Sequence, residues 1–217
     1  MEKGKLSVRL ELFVAIFLGI TAVLTAWASW QSSLYGGNQA TKYTKGIAIV
    51  GEANSMYNEA AQYIAQDMDL WNRISDLYID LEFAQSKSDE EAEKLQWKID
   101  QIMVDNVSEE LMEAIEWADA QEEYASPFDK EGFLDSYYEE ANEKYIEGQE
   151  TIEAGQKDNS LGDRLGLVTV IYAVVLFMLG IAASFDEMRT RIVVIAIAAI
   201  GFIYATITML GVPILTL

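Results

Sequence analysis

Apolar and polar positions alternate along this chain on a scale of tens of residues. Three blocks are apolar on every face: Leu12 to Trp30, Leu165 to Phe185, and Ile192 to Leu210. Each has 19 to 21 residues and no charge. At about 1.5 Å of rise per residue, a helix of that length crosses roughly 30 Å of hydrocarbon. A helix buried in a water-soluble domain seldom stays apolar on all sides for so long. The pattern predicts three transmembrane helices: 12–32, 164–185 and 192–211.

Between the first and second blocks the period is helical and one-sided. Ile47, Val50, Asn54, Tyr57, Ala61, Ile64, Met68 and Trp71 follow an alternating three-four spacing. The stripe then passes to Leu70, Ile74, Leu77 and Leu81. This predicts one helix of about ten turns with a coiled-coil-like seam. Ser88 with Glu91 reads as a capping box opening a second helix, with Leu95, Ile99 and Ile102 on its inner face. Asn106 with Glu109 repeats the signal before Leu111, Ile115 and Ala118. Ser126-Pro127 breaks the chain. A last helix, starting near Asp129, carries Leu134, Tyr138, Ala141, Tyr145, Gly148, Ile152 and Gly155 at heptad spacing. Gly148 and Gly155 would let a neighbouring backbone come close. No strand-like alternation occurs, so the expected fold is all-α: an integral membrane protein with a long-helix domain between its first and second spans.

Charge orients this layout. Residues 33–163 hold 31 acidic and 9 basic side chains, more negative than the whole chain at −20. The N-terminal tail carries Lys3, Lys5 and Arg9, and the segment between the last two spans carries Arg189 and Arg191. Basic segments stay on the cytoplasmic side. The expected order is a cytoplasmic tail (1–11), the first span, an acidic extracytoplasmic domain (33–163), the second span, a cytoplasmic loop (186–191), the third span, and an extracytoplasmic C-terminus (212–217). Lys42, Lys45 and Arg164 are the basic residues that run against this order. "AWA" at Ala26 to Ala28 resembles a signal-peptide cleavage site, but the apolar block before it exceeds a usual signal core. The segment is therefore read as a retained span. Trp27, Trp30 and Tyr35 then form an interfacial aromatic anchor, and Gly36-Gly37 a kink or hinge where the helix leaves the bilayer.

Composition removes several chemistries. The chain has no cysteine and no histidine. Disulfides, thiol catalysis, a histidine base and Cys/His zinc sites are thereby excluded. Glycine-rich nucleotide loops and the Gly-x-Ser-x-Gly elbow do not occur. Carboxylate pairs such as Asp67 with Asp69 and Glu139 with Glu140 fall on exposed helical faces, with no sign of the cleft that acid–base catalysis needs. No enzyme activity and no cofactor are expected. The acidic surface repels nucleic acid and anionic lipid, and it allows weak cation binding or basic partners.

The spans lack central ionisable residues, the usual mark of pumps and ion-coupled transporters. Small residues suit helix packing: Ala15 with Gly19, Ala22 with Ala26, and Gly201 with Ala205. Thr21, Thr25 and Ser29 share one stripe, facing either a pore in an oligomer or a neighbouring helix.

The stretches "TAVLTAWASWQSSLYGGNQATKY" and "EANEKYIEGQETIEAGQKDNSLGDRLGLVTVIYAVVLFMLGIAASF" resemble a family of uncharacterised bacterial inner-membrane proteins. The shared features are an aromatic-Gly-Gly-x-Gln joint and a glycine-rich lead into the second span. The resemblance implies three spans with an extracytoplasmic helical insert, in the bacterial inner membrane, and brings no activity. The leading expectation is a homo-oligomeric structural or partner-binding membrane component. The alternatives are a subunit of a cation-permeable channel with an acidic vestibule, and an ectodomain sensor coupled to a partner protein.

Overall fold

A computed structural model describes residues 2–216, with side chains described from residue 10 onward. Lys3, Lys5 and Arg9 therefore lie outside the described side chains, as does Leu217. The described chain is all helical: α1 (Glu2–Gln85), α2 (Asp89–Asn106), α3 (Glu109–Asp119), α4 (Phe133–Ser136), α5 (Glu139–Ala182) and α6 (Met188–Leu210), with a 3-10 turn at Pro127–Asp129. It divides into two compact units, one of Met1–Ile47 with Gln149–Leu217, the other of Ala48–Gly148.

The first unit packs α1, the later part of α5, and α6 as an up-down-up bundle. Near one end Val14 meets a cluster with Val175, Leu179, Ala182, Ile195 and Ala198. Towards the other, Ala28 and Tyr35 share a cluster with Leu165, Val168, Tyr172, Ala205, Met209 and Val212. Buried positions on α5 recur every three or four residues, from Leu165 through Val168, Tyr172, Val175 and Leu179 to Ala182, so one stripe faces the bundle axis. Along the three apolar blocks the outward faces are apolar too. Phe13 is 55% exposed, Val23 69%, Phe177 67% and Ile200 69%. Three helices here are long and apolar enough to cross a membrane.

Glycines set the helix separation in this unit. A Cβ on Gly201 would lie 3.2 Å from Val175 Cγ2, and one on Gly162 would lie 3.3 Å from Tyr35 Cβ. One on Gly155 would lie 3.0 Å from the Tyr43 ring. These contacts are made by dispersion and close backbone approach, which hold apolar helices together where no water remains to be displaced.

The second unit is built as a water-soluble domain is. Leu111, Ala114, Ile115 and Phe133 form its core, with Leu70, Trp71, Met103 and Val107 packed around them. Phe133 stands edge-on to Tyr137, ring centroids 5.3 Å apart, and tilted on Phe128 at 5.5 Å, both within the range that favours aromatic pairs. Ser88 caps α2 by accepting from the Glu91 amide. Ser126 and Asp129 complete a reciprocal capping box over the 3-10 turn. Gly132, at φ +80°, takes the left-handed conformation that closes the loop into α4.

Four expectations are corrected. The first part of the α1 seam lies beside the one read from the pattern: Ile49, Ala53 and Ala60 are buried, while Ile47 is 66% and Met68 44% exposed; further on, Ile74 and Leu81 are buried as the pattern placed them. Tyr57, Ile64 and Trp71 lie half-buried at its margin. Small residues are buried on both long helices of the second unit, Ala53 and Ala60 on α1 and Ala141 and Gly148 on α5. The cap of α3 is Ser108, which accepts from the Leu111 amide at 3.1 Å, and Asn106 ends α2. The last long helix begins at Glu139, ten residues beyond Asp129, because the capping box and Gly132 turn the chain first. The turn between α5 and α6 spans 183–187, so Arg189 and Arg191 belong to the first turn of α6.

Candidate functional site

In the first unit the buried hydroxyls of Thr21 and Tyr172 and the Gln31 amide are bonded inside the bundle, while the buried Arg191 Nε has no hydrogen-bond partner among the described residues. Thr21 is fully buried and donates to the Phe17 carbonyl at 2.8 Å. Thr25, half-buried, donates to the Thr21 carbonyl at 2.7 Å. Ser29 is exposed. The three hydroxyls thus occupy three different environments, and the two threonines are engaged with their own helix. Tyr172 shares a hydrogen bond with the Thr206 hydroxyl at 2.9 Å.

Gln31 reaches a partner 184 residues away in sequence. It is 1% exposed. Its amide nitrogen donates to the Leu215 carbonyl at 3.0 Å, and its amide oxygen accepts from the Leu215 N–H at 2.9 Å. Beside it, the Tyr35 hydroxyl donates to the Pro213 carbonyl at 2.8 Å. The segment after α6 is thereby strapped to α1, with Val212 buried beneath it. Tyr35 is 2% exposed, which corrects its assignment as an outward aromatic anchor: its ring fills the bundle and its hydroxyl holds the C-terminal segment. Trp27 is half-buried against the same cluster, and Trp30 is 46% exposed.

α1 continues as helix through Gly36 and Gly37, so these glycines do not end it. Ala15, Gly19, Ala22 and Ala26 all lie on the outside of the unit, while Gly201 and Ala205 face inward. Charges sit at the two ends of the bundle. Lys42 pairs with nearly buried Asp158 at 2.8 Å. At the opposite end Arg191, 8% exposed, lies 3.6 Å from Glu11.

Two open clefts of the second unit combine aromatic and acidic side chains. One lies between α1, α3 and the start of α5, lined by Tyr63, Asp67, Ser108, Glu110, Tyr137 and Glu139. The Tyr137 hydroxyl donates to the Asp67 carboxylate. Burial, then that bond and the carboxylate charge, push the Tyr137 hydroxyl well above its ordinary value of 10.0. The phenol stays neutral and locks this cleft as a structural contact. The other cleft, of about 510 Å³, lies between α1 and the segment that follows α3. Trp71, Tyr78 and Tyr124 supply its aromatic surface, and Asp119, Glu122 and Glu123 its charge. Among the described residues no group of three or more carboxylates is placed to hold a metal ion.

The pattern of the sequence gives no hint of either cleft and does not identify the partners of the Gln31–Tyr35 strap. Signals for the strap existed, a glutamine and a tyrosine four residues apart at the end of an apolar block, but their partners lie 178 and 184 residues away. Compared with models of protein families, with curated proteins and with solved structures, the chain has no significant match.

Proposed function

We propose that this chain is a non-enzymatic, three-span protein of a bacterial inner membrane, with its acidic helical domain outside and its N-terminus and 183–187 turn in the cytoplasm. It acts by binding, as a structural or partner-binding component. One observation carries the membrane part: along the three apolar blocks, 12–30, 165–182 and 192–210, the first unit is apolar on its outer surface as well as in its core, while its buried hydroxyls and its Gln31 amide are bonded internally. That is the arrangement a hydrocarbon solvent requires. The ion pairs stand at the bundle ends, where charges reach the membrane surface. Ala15, Gly19, Ala22 and Ala26 face outward, where they can meet a helix of a second copy. A pore lined by Thr21, Thr25 and Ser29 has less support, since Thr21 is fully buried within a single chain.

The absence of cysteine makes the topology directly testable. Ser86 and Ser184 are both exposed. In intact cells, a membrane-impermeant maleimide is expected to label Ser86→Cys and to spare Ser184→Cys until the membrane is opened. Labelling of Ser184→Cys alone in intact cells would reverse the orientation, and labelling of neither or both would end this reading.

A further inference from the structure

We propose that the cleft between α1 and residues 119–125 is a binding site for a small organic ammonium ion carrying apolar substituents. The cleft lies wholly within the second unit, so the inference does not depend on the membrane reading.

Four observations meet there. Its volume, about 510 Å³, falls in the range of small-molecule sites. Its walls are aromatic on both sides, with Trp71 and Tyr78 from α1 and Tyr124 from the segment after α3. Aromatic faces attract cations through the negative ring face, and they do so best for ammonium groups that carry apolar substituents. Asp119, Glu122 and Glu123 add negative charge, and no lysine or arginine lines the cleft to neutralise it. The fourth observation is Ser75. Thr21, Thr41, Ser55 and Thr206 donate their hydroxyls to the carbonyl four residues earlier. Ser75 lines the cleft, and its hydroxyl, shielded from solvent, has no hydrogen-bond partner among the described residues. A shielded hydroxyl without a partner costs free energy, and a ligand bearing a hydroxyl or N–H would relieve that.

The lining separates this ligand class from others. A bare metal ion needs converging oxygen ligands, and the carboxylates here are not grouped to provide them. An anion would meet three carboxylates. A neutral apolar ligand would gain the aromatic contact but leave the charge unused. Burial, with Asp119 and then Asp100 nearby, raises the Tyr78 hydroxyl above its ordinary value, so this lining residue stays a neutral phenol.

The test is calorimetric titration of the full chain, in nanodiscs free of choline lipids, with choline chloride and with its neutral isostere 3,3-dimethylbutan-1-ol. Choline is expected to bind saturably with one site per chain, and the isostere at least about tenfold more weakly. Tyr124 is 89% exposed and Asp119 lies on the surface, so neither substitution disturbs the core. Tyr124→Leu and Asp119→Asn should each weaken choline about fivefold, in line with one lost cation–aromatic or charge contact. Asp105→Asn, which removes the same charge outside the lining, should leave binding unchanged. Absence of saturable choline binding, equal binding of the isostere, or an equal loss in Asp105→Asn would overturn the proposal.

Discussion

The two units of this chain solve opposite solvent problems with the same secondary structure. In the second unit, exposed positions are mostly charged or polar, and the core of Leu111, Ile115 and Phe133 is assembled by the removal of apolar surface from water. In the three apolar blocks of the first unit, the outside is as apolar as the inside, so apolarity cannot decide which side of a helix faces its neighbours. Shape and polar closure decide it. Gly201 admits Val175, Gly162 admits Tyr35, and Gln31 closes on the Leu215 backbone. The lesson is that one kind of side-chain change should have different consequences in the two units, and that difference can be measured.

The largest effect is expected in the water-driven core. Phe133→Ala removes a 5% exposed ring that touches Phe128 and Tyr137. It should destabilise the second unit by about 3–5 kcal/mol, read by denaturant unfolding, while the first unit keeps its helicity. Next comes a matched pair of lysine substitutions. Val23 in the first unit is 69% exposed and Val104 in the second is 79% exposed. Val104→Lys should change stability by no more than about 0.5 kcal/mol. Val23→Lys should raise the cost of membrane insertion by about 2.5–3.5 kcal/mol, seen as a fall in the membrane-integrated fraction. Equal tolerance at both sites would erase the distinction between the units.

A smaller effect follows at the strap. Gln31→Leu leaves the Leu215 N–H and carbonyl without their partners, at a cost of about 1–3 kcal/mol. Amide exchange at Leu215 should speed up markedly, with little change at Leu111. The smallest effect is one of pH. Because the folded Tyr137 hydroxyl is raised above its ordinary 10.0, its contribution is present in full below that value and is lost as pH rises through the folded value. Unfolding midpoints of the second unit should fall above about pH 10, and Tyr137→Phe should flatten that fall.

Much of this fold was legible in the chain because its signals are local. Three uninterrupted apolar blocks need no tertiary knowledge to be read as membrane-length helices. Ser88 and the Ser126-Pro127 break also act within four residues, and they appear where the pattern put them. Errors arose where a partner makes the choice. Ile47 and Met68 look like seam residues by size, but helix approach selected Ala53 and Ala60 instead. Asn106 and Ser108 both have capping side chains, and only the exit from α2 shows which one caps α3. Tyr35 has the composition and position of an interfacial anchor. Its burial depends on the C-terminal segment returning to α1, which no local pattern records. The aromatic cleft escaped notice for the same reason: Trp71 and Tyr124 are 53 residues apart in a stretch where acidic residues dominate the composition.

The central claim, that the first unit is solvated by hydrocarbon and the second by water, is tested most directly by depth. A spin label at Val23→Cys or at Val104→Cys, in the chain reconstituted into lipid, reports collisions with oxygen and with a polar nickel complex. The account predicts that the label at 23 is relaxed by oxygen and shielded from nickel, and that the label at 104 shows the reverse. Strong nickel relaxation at 23, matching that at 104, would contradict it.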